Sequence, residues 1–295
     1  MSPQYSALTD YLCLQVRGAE AGAFLHAQLS QALGSLAPGR APLAGWHDAR
    51  GRVRALLRVV QLPERWLLLT PRDGAEQLLK RLKMFVLRSA VTLDVATDVE
   101  VAAVLGAERA WLKTQGLTAD AAPAACLTVG QLHWVHVGGG YWQVLGSRAA
   151  LGSLAASLPA APAGAAALAE IGLGLPAITA ELADRYVAQM LNLDTLGALA
   201  FDKGCYPGQE IIARVHNLGD VKRRLRRYAA SGSAPAVGAA ILETQGGTAV
   251  GEVVRSAAAQ SGSELLAVVE HAATRAPLTC DGNLLAELPL PVSAA

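Results

Sequence analysis

At 295 residues the chain exceeds the roughly 100–200 residues of one domain, so two or three domains are expected. A content of 52% hydrophobic and 17% charged residues excludes a disordered chain, and a net charge of +1 excludes bulk electrostatic attraction to nucleic acid or anionic membrane. No apolar run approaches the ~18 residues of a membrane span, so no membrane association is expected. The opening "MSPQYSALTD" lacks a charged segment leading into an apolar one, so no export leader is expected. Cys13, Cys126, Cys205 and Cys280 are scattered, with the spacing of neither a disulfide framework nor a zinc site. A reducing, cytoplasmic setting is expected, with no metal site of its own.

In chain order, "RVRALLRVVQL" (52–62) and "RWLLLT" (65–70) read as a β-hairpin turning at Pro63-Glu64. A helix is predicted to follow in "DGAEQLLKRLKMFVLRS", opened by an Asp73/Glu76 capping pair, with Leu78, Leu82 and Val86 on its apolar face. "HWVHVGGGYWQVLGSRAALGSLAASL" repeats that plan as hairpin, glycine turn and helix. A shift of 76 residues brings Val59 onto Val135, Trp66 onto Trp142, Leu69 onto Leu145, Leu78 onto Leu154 and Leu82 onto Leu158. Two α+β units with antiparallel sheets are therefore expected. "LPAAPAGAAALAE" (158–170) reads as an Ala/Pro linker. Beyond Gly219, short β runs separated by Gly/Ser turns predict an all-β domain from about Val221.

One stretch gathers chemistry. "FDKGCYPGQEIIAR" (201–214) places Lys203, Cys205, Tyr206, Gln209 and Glu210 around Gly204, Pro207 and Gly208. Those turn residues bend the backbone sharply, which would present Cys205 to solvent rather than bury it as a small hydrophobe. Lys203 and Arg214 nearby would favour its thiolate. A cysteine hydrolase would need a histidine base, and His216, with Asn217 and Asp220 after it, is the nearest; a solvated loop position for His216 is the competing reading. "VKRRLRR" (221–227) could hold an anionic ligand tail or RNA phosphate, but a solvated strand or domain junction is the better reading, and no stable nucleic-acid binding is expected.

The stretch "NLDTLGALAFDKGCYPGQEIIAR" resembles the signature of the YgfZ family of folate-binding proteins, relatives of the glycine-cleavage T-protein (aminomethyltransferase) and of mitochondrial iron–sulfur assembly factors. Phe201, Lys203, Gly204, Cys205, Tyr206, Gly208, Gln209, Glu210, Ala213 and Arg214 carry the match. "LQVRGAEAGAFLHAQLS", "HDARGRVRALLRV" and "IGLGLPAI" are similar more weakly. The resemblance implies an α+β fold of three domains in a ring: a discontinuous folate-binding domain (1–98 with 166–220), an inserted α+β domain (99–165) and a C-terminal β-barrel (221–295), the first two ferredoxin-like. It also implies a central cavity for tetrahydrofolate or a one-carbon derivative, with Tyr11 covering one pterin face.

Departures matter as well. The aminomethyltransferases carry an Asp-Asp pair in the first hairpin, where this chain has Arg54 and Ala55. Without a carboxylate there, a cationic aminomethyl centre has no anionic partner, so transfer of that carbon is not expected. The family's aromatic before the Gly-x-Pro segment is Ala166 here, and its proline before "NL" is Ala188. The expected function is a monomeric, folate-binding accessory protein that supports iron–sulfur enzymes or assembly proteins, including tRNA-modifying ones. Cys205 would be its functional thiol, in transient contact with a cluster or exchanging thiols. Lys203, Gln209, Glu210 and Arg214 would shape its surroundings and meet a partner, with Gly204, Tyr206 and Gly208 completing the motif at a bend beside the folate cleft. A folate-dependent one-carbon transferase is the alternative.

Overall fold

A computed structural model describes residues 2–118, 121–219 and 221–291. Its first elements are β1 (Gln4–Ala7), β2 (Tyr11–Arg17), α1 (Ala21–Gln28), β3 (Leu43–His47), β4 (Val53–Gln61), β5 (Trp66–Pro71), α2 (Ala75–Lys83) and β6 (Thr92–Val95). There follow β7 (Glu100–Leu105), α3 (Arg109–Thr114), β8 (Cys126–Val129), β9 (Leu132–Gly138), β10 (Tyr141–Gly146), α4 (Arg148–Ala156) and α5 (Ala165–Gly172). An irregular stretch with a 3-10 turn (Ala188–Leu191) leads to α6 (Gln209–Leu218). The chain closes with β11 (Arg223–Ala230), β12 (Ala240–Glu243), β13 (Ala249–Ala258), β14 (Ser263–Glu270), β15 (Leu278–Cys280) and β16 (Asn283–Leu288).

The two predicted units form sheets of matching order, β3-β4-β5-β2-β6 and β8-β9-β10-β7-β1, every pair antiparallel. The edge strand of the second sheet is β1, from the start of the chain. Both sheets are covered on both faces, which is why their central strands read as unbroken apolar runs rather than alternating ones. In β5, Trp66 and Leu68 face the core shared with α1 and α2, while Leu67 and Leu69 face the other sheet. In β10, Trp142 and Val144 face α3 and α4, while Tyr141 and Leu145 meet the first sheet. The six C-terminal strands close a barrel in the order β11-β14-β13-β12-β15-β16, which leaves no sheet edge open.

Two local expectations are corrected. The Asp73/Glu76 capping pair does not form: Gly74, at φ +86°, caps α2 without any side-chain bond, and Asp73 Oδ2 instead accepts from the Ala180 N–H at 3.2 Å. The stretch 158–170 is not merely a linker, because its end builds α5 and buries Glu170.

Candidate functional site

The bend before α6 is held by fit rather than by a capping side chain. Gly208 has φ +79°, and a Cβ there would lie 2.5 Å from the Asp48 carbonyl oxygen and 2.7 Å from the Gly51 Cα. Gly51 (φ +74°) answers it, with Ile211 of α6 where its own Cβ would point. The β3–β4 turn and the start of α6 thus touch backbone to backbone, an approach only glycine permits. Lys203 reaches the other way. Its Nζ donates to the carbonyls of His26, Leu29 (2.6 Å) and Gln31 (3.0 Å), closing the C-terminal end of α1, where unpaired carbonyls and the helix dipole favour a cation. Burial pushes its pKa down to about 8. The ammonium also lies 5.0 Å from the ring centroid of Tyr206, which is buried against Ile212 and Val53. Gln209 Nε2 donates to the Lys203 carbonyl at 3.3 Å.

With its neighbours anchored, Cys205 is exposed, as are Gly204, Glu210 and Arg214, whereas Cys13 and Cys280 are buried. Glu210 and Arg214, four residues apart on α6, share one face. The structure commits Lys203 to carbonyl oxygens rather than to a thiolate. His216 is not a loop residue: it lies on α6 and stacks on Phe201, ring centroids 3.9 Å apart and planes at 18°. Asp220 lies outside the described residues.

A second polar centre is buried where three units meet. The Glu170 carboxylate on α5 accepts from Tyr11 OH of β2 (2.9 Å), Tyr141 OH (2.6 Å) and Gln143 Nε2 (3.1 Å) of β10, and from the Arg255 guanidinium of β13. One carboxylate therefore ties both sheets and the barrel together. Burial works against the charge on Arg255, but Glu170 outweighs it and holds the guanidinium above its ordinary range. Burial and the same carboxylate raise both tyrosines. Beside this hub lies a recess of about 30 Å3 lined by Tyr11, Arg58, Gln143 and Glu170. It shares Leu43, Arg58 and Leu175 with a cleft of about 740 Å3, whose walls come from the first sheet, from Val137–Gly139 of the second and from Leu290 and Pro291. Arg58 donates one N–H to the Ala41 carbonyl at 3.0 Å, and burial lowers its pKa to about 10. Gln143 Oε1 is buried with no hydrogen-bond partner. None of residues 201–210 lines this cleft, although Lys203 Nζ donates to the carbonyl of Gln31, which does.

At the hairpin, Arg54 Nε pairs with Asp184 at 2.9 Å and its guanidinium lies 5.2 Å from the Trp46 ring centroid; Arg81 shares the same carboxylate at 3.3 Å. Ala55 is buried. The arginine run is a paired strand: Arg223 with Glu270, Arg224 with Asp194, Arg226 with Glu287 and Arg227 with Glu264. Among the described residues no three His, Cys, Asp or Glu side chains converge as a metal-ligand group.

The tRNA-modifying protein YgfZ of Edwardsiella ictaluri is 30% identical to this chain over 236 residues, covering 74% of the chain and 68% of that protein. The chain belongs to the YgfZ family. The YgfZ of Colwellia psychrerythraea is 29% identical over 223 residues, 74% of this chain and 69% of its own. No family model matches. The fold is that of a glycine cleavage system aminomethyltransferase T from Bartonella henselae, with a TM-score of 0.77 over 97% of this chain and 85% of that one, at 14% identity. For a YgfZ-family chain the signature was legible because its residues are contiguous. Glu170, Gln143, Arg58 and Arg255 were missed because the fold alone assembles them; the one available signal was a glutamate inside the apolar "AAALAEIGLGLP".

Proposed function

We propose that this protein is a folate-binding accessory factor in tRNA modification, acting on iron–sulfur enzymes through the Cys205 thiol. The observation that carries the reading is an exposed cysteine on a bend that Lys203, Tyr206 and Gly208 anchor on either side of it. The relatives' name as tRNA-modifying proteins supplies the process. Iron–sulfur clusters are usually held by four thiolates, so one exposed cysteine can contact a cluster only together with a partner's ligands. A thiol outside the cleft suits a macromolecular partner rather than the small ligand. Glu210 and Arg214, exposed on the helix that begins at the bend, belong to the same docking face.

The central cleft fits a reduced folate. Its volume suits a drug-sized ligand, about 300–1,000 Å3 being usual. The orphan Gln143 Oε1 and the guanidinium of Arg58 supply the acceptor and donors that an aminopterin edge requires. Arg58, which lines both spaces, would hold the ring at the cleft wall, and Tyr11 and Gln143 in the recess behind it would meet only an edge substituent of the ring. A bound tetrahydrofolate supplies a carrier for a one-carbon unit. The transferase alternative is disfavoured by Arg54, which already neutralises the neighbouring Asp184 carboxylate.

In a deletion strain, Cys205→Ala should fold normally and fail to restore iron–sulfur enzyme activity; full rescue would rule the reading out. For the pocket, Gln143→Leu should weaken tetrahydrofolate binding about tenfold, the loss from one buried hydrogen bond, read by fluorescence of the five tryptophans.

A further inference from the structure

Charge is unevenly placed around the central cleft. Among the described residues the buried interior holds two guanidiniums, Arg58 and Arg255, and one carboxylate, Glu170. Glu170 is committed: Arg255 pairs with it, and Tyr11, Tyr141 and Gln143 donate to it. Arg58 is 6% exposed and has no carboxylate of the described residues within ion-pairing distance. Only its Nη1 is hydrogen-bonded, to the neutral carbonyl of Ala41; the other two nitrogens bond no protein atom and are not sealed from the space they line. With a pKa of about 10 the group is charged at neutral pH. A buried charge is normally paired or neutralised, because leaving it alone is costly. Arg58 is neither, which points to a ligand that completes it.

The wall of the cleft repeats the imbalance. Among the described residues Arg40 and Arg58 are its only charged side chains; no Asp or Glu lines it, and Arg40 has no ion pair either. A cleft walled by one sign of charge focuses its field on whatever enters. Reduced folates all carry the same carboxylate tail, so the tail cannot choose among them. The one-carbon unit can. An unsubstituted ring is neutral there, and a 5-formyl group is neutral and offers a carbonyl acceptor. A 5,10-methenyl bridge carries a positive charge. A ligand cation about 10 Å from a guanidinium loses about tenfold in affinity at an effective dielectric of about 20.

We propose that Arg58 makes the cleft selective by charge: it accepts folates whose one-carbon unit is absent or neutral, such as tetrahydrofolate and 5-formyltetrahydrofolate, and rejects the cationic 5,10-methenyl form. The inference rests on the folate reading above and names the form that is bound. An iminium-type centre is cationic too, so the same guanidinium opposes aminomethyl-type transfer in this cleft.

The test is equilibrium dialysis of the full chain against tetrahydrofolate, 5-formyltetrahydrofolate and 5,10-methenyltetrahydrofolate, at a mildly acidic pH where the methenyl cation is stable. The wild type should bind the first two about tenfold more tightly than the third. Arg58→Met should erase that preference, whatever it does to the affinities themselves, and Arg58→Lys, which keeps the charge, should retain it. Should Arg58→Met fail to fold, the wild-type preference and its retention in Arg58→Lys decide. Equal or tighter binding of the methenyl form by the wild type would overturn the inference and leave the folate reading standing, as would a preference that survives Arg58→Met. No saturable binding of any of the three would overturn both.

Discussion

The bend at Cys205 and the hub at Glu170 are both polar insertions in an apolar chain, and they are built in opposite ways. At the hub the side chains are spent on one another, with Gln143 Oε1 left over: a single carboxylate satisfies two tyrosines, an amide N–H and a guanidinium drawn from three separate sheets. At the bend the neighbours are spent so that one side chain need not be. Gly208 and Gly51 lock the backbone, Lys203 anchors to α1, Tyr206 is buried, and the thiol is left facing solvent. The difference separates residues that make the fold from the residue that the fold displays.

Substitutions can break this contrast. The largest expected effect is on the hub: Glu170→Ala strands the buried Arg255 and should cost about 3–5 kcal/mol, seen as a large fall in melting temperature. If it is tolerated, the hub is not the joint described. Next comes acid. Burial lowers the His47 pKa to about 3, with Tyr206 6.2 Å away. Unfolded, the imidazole would titrate near 6.5, so the unfolded chain takes up the proton first as pH falls. Its contribution is complete above pH 6.5 and is lost at about 1.4 kcal/mol per pH unit down to about 3. Denaturant melts of His47→Gln across that range should show a shallower acid decline, by about one proton.

Gly208→Ala comes third. It forces a non-glycine residue to positive φ against the Asp48 carbonyl and should cost about 1–3 kcal/mol in chemical unfolding. Because the backbone there positions the thiol, this variant should also lower rescue activity. Smallest is Lys203→Met, which leaves the carbonyls at the end of α1 uncapped and should cost about 1 kcal/mol. A much greater loss of rescue than of stability in that variant would show that Lys203 acts on Cys205 directly, against the geometry.

The same contrast explains what the sequence disclosed. The bend was legible because its residues are adjacent and glycine, proline and glycine announce a turn. The two sheets were legible because strands buried on both faces read as apolar runs, as in Trp66 to Leu69. The hub was not, since Tyr11, Gln143, Glu170 and Arg255 become neighbours only when three sheets pack. An alanine-rich stretch disguised α5 as a linker, and Asp73 imitated a helix cap while bonding the backbone of Ala180. The arginines of β11 imitated a binding patch until each found its carboxylate, three across the strands and Arg224 on Asp194 of the stretch before α6.

The central claim is that the displayed thiol and the ligand cleft are separate working surfaces. Titrating purified Cys205→Ala with tetrahydrofolate tests it most directly. The account predicts saturable binding with the affinity of the wild type, in a protein that cannot restore client activity. A tenfold loss of affinity in the variant, or no saturable binding by either protein, would contradict it.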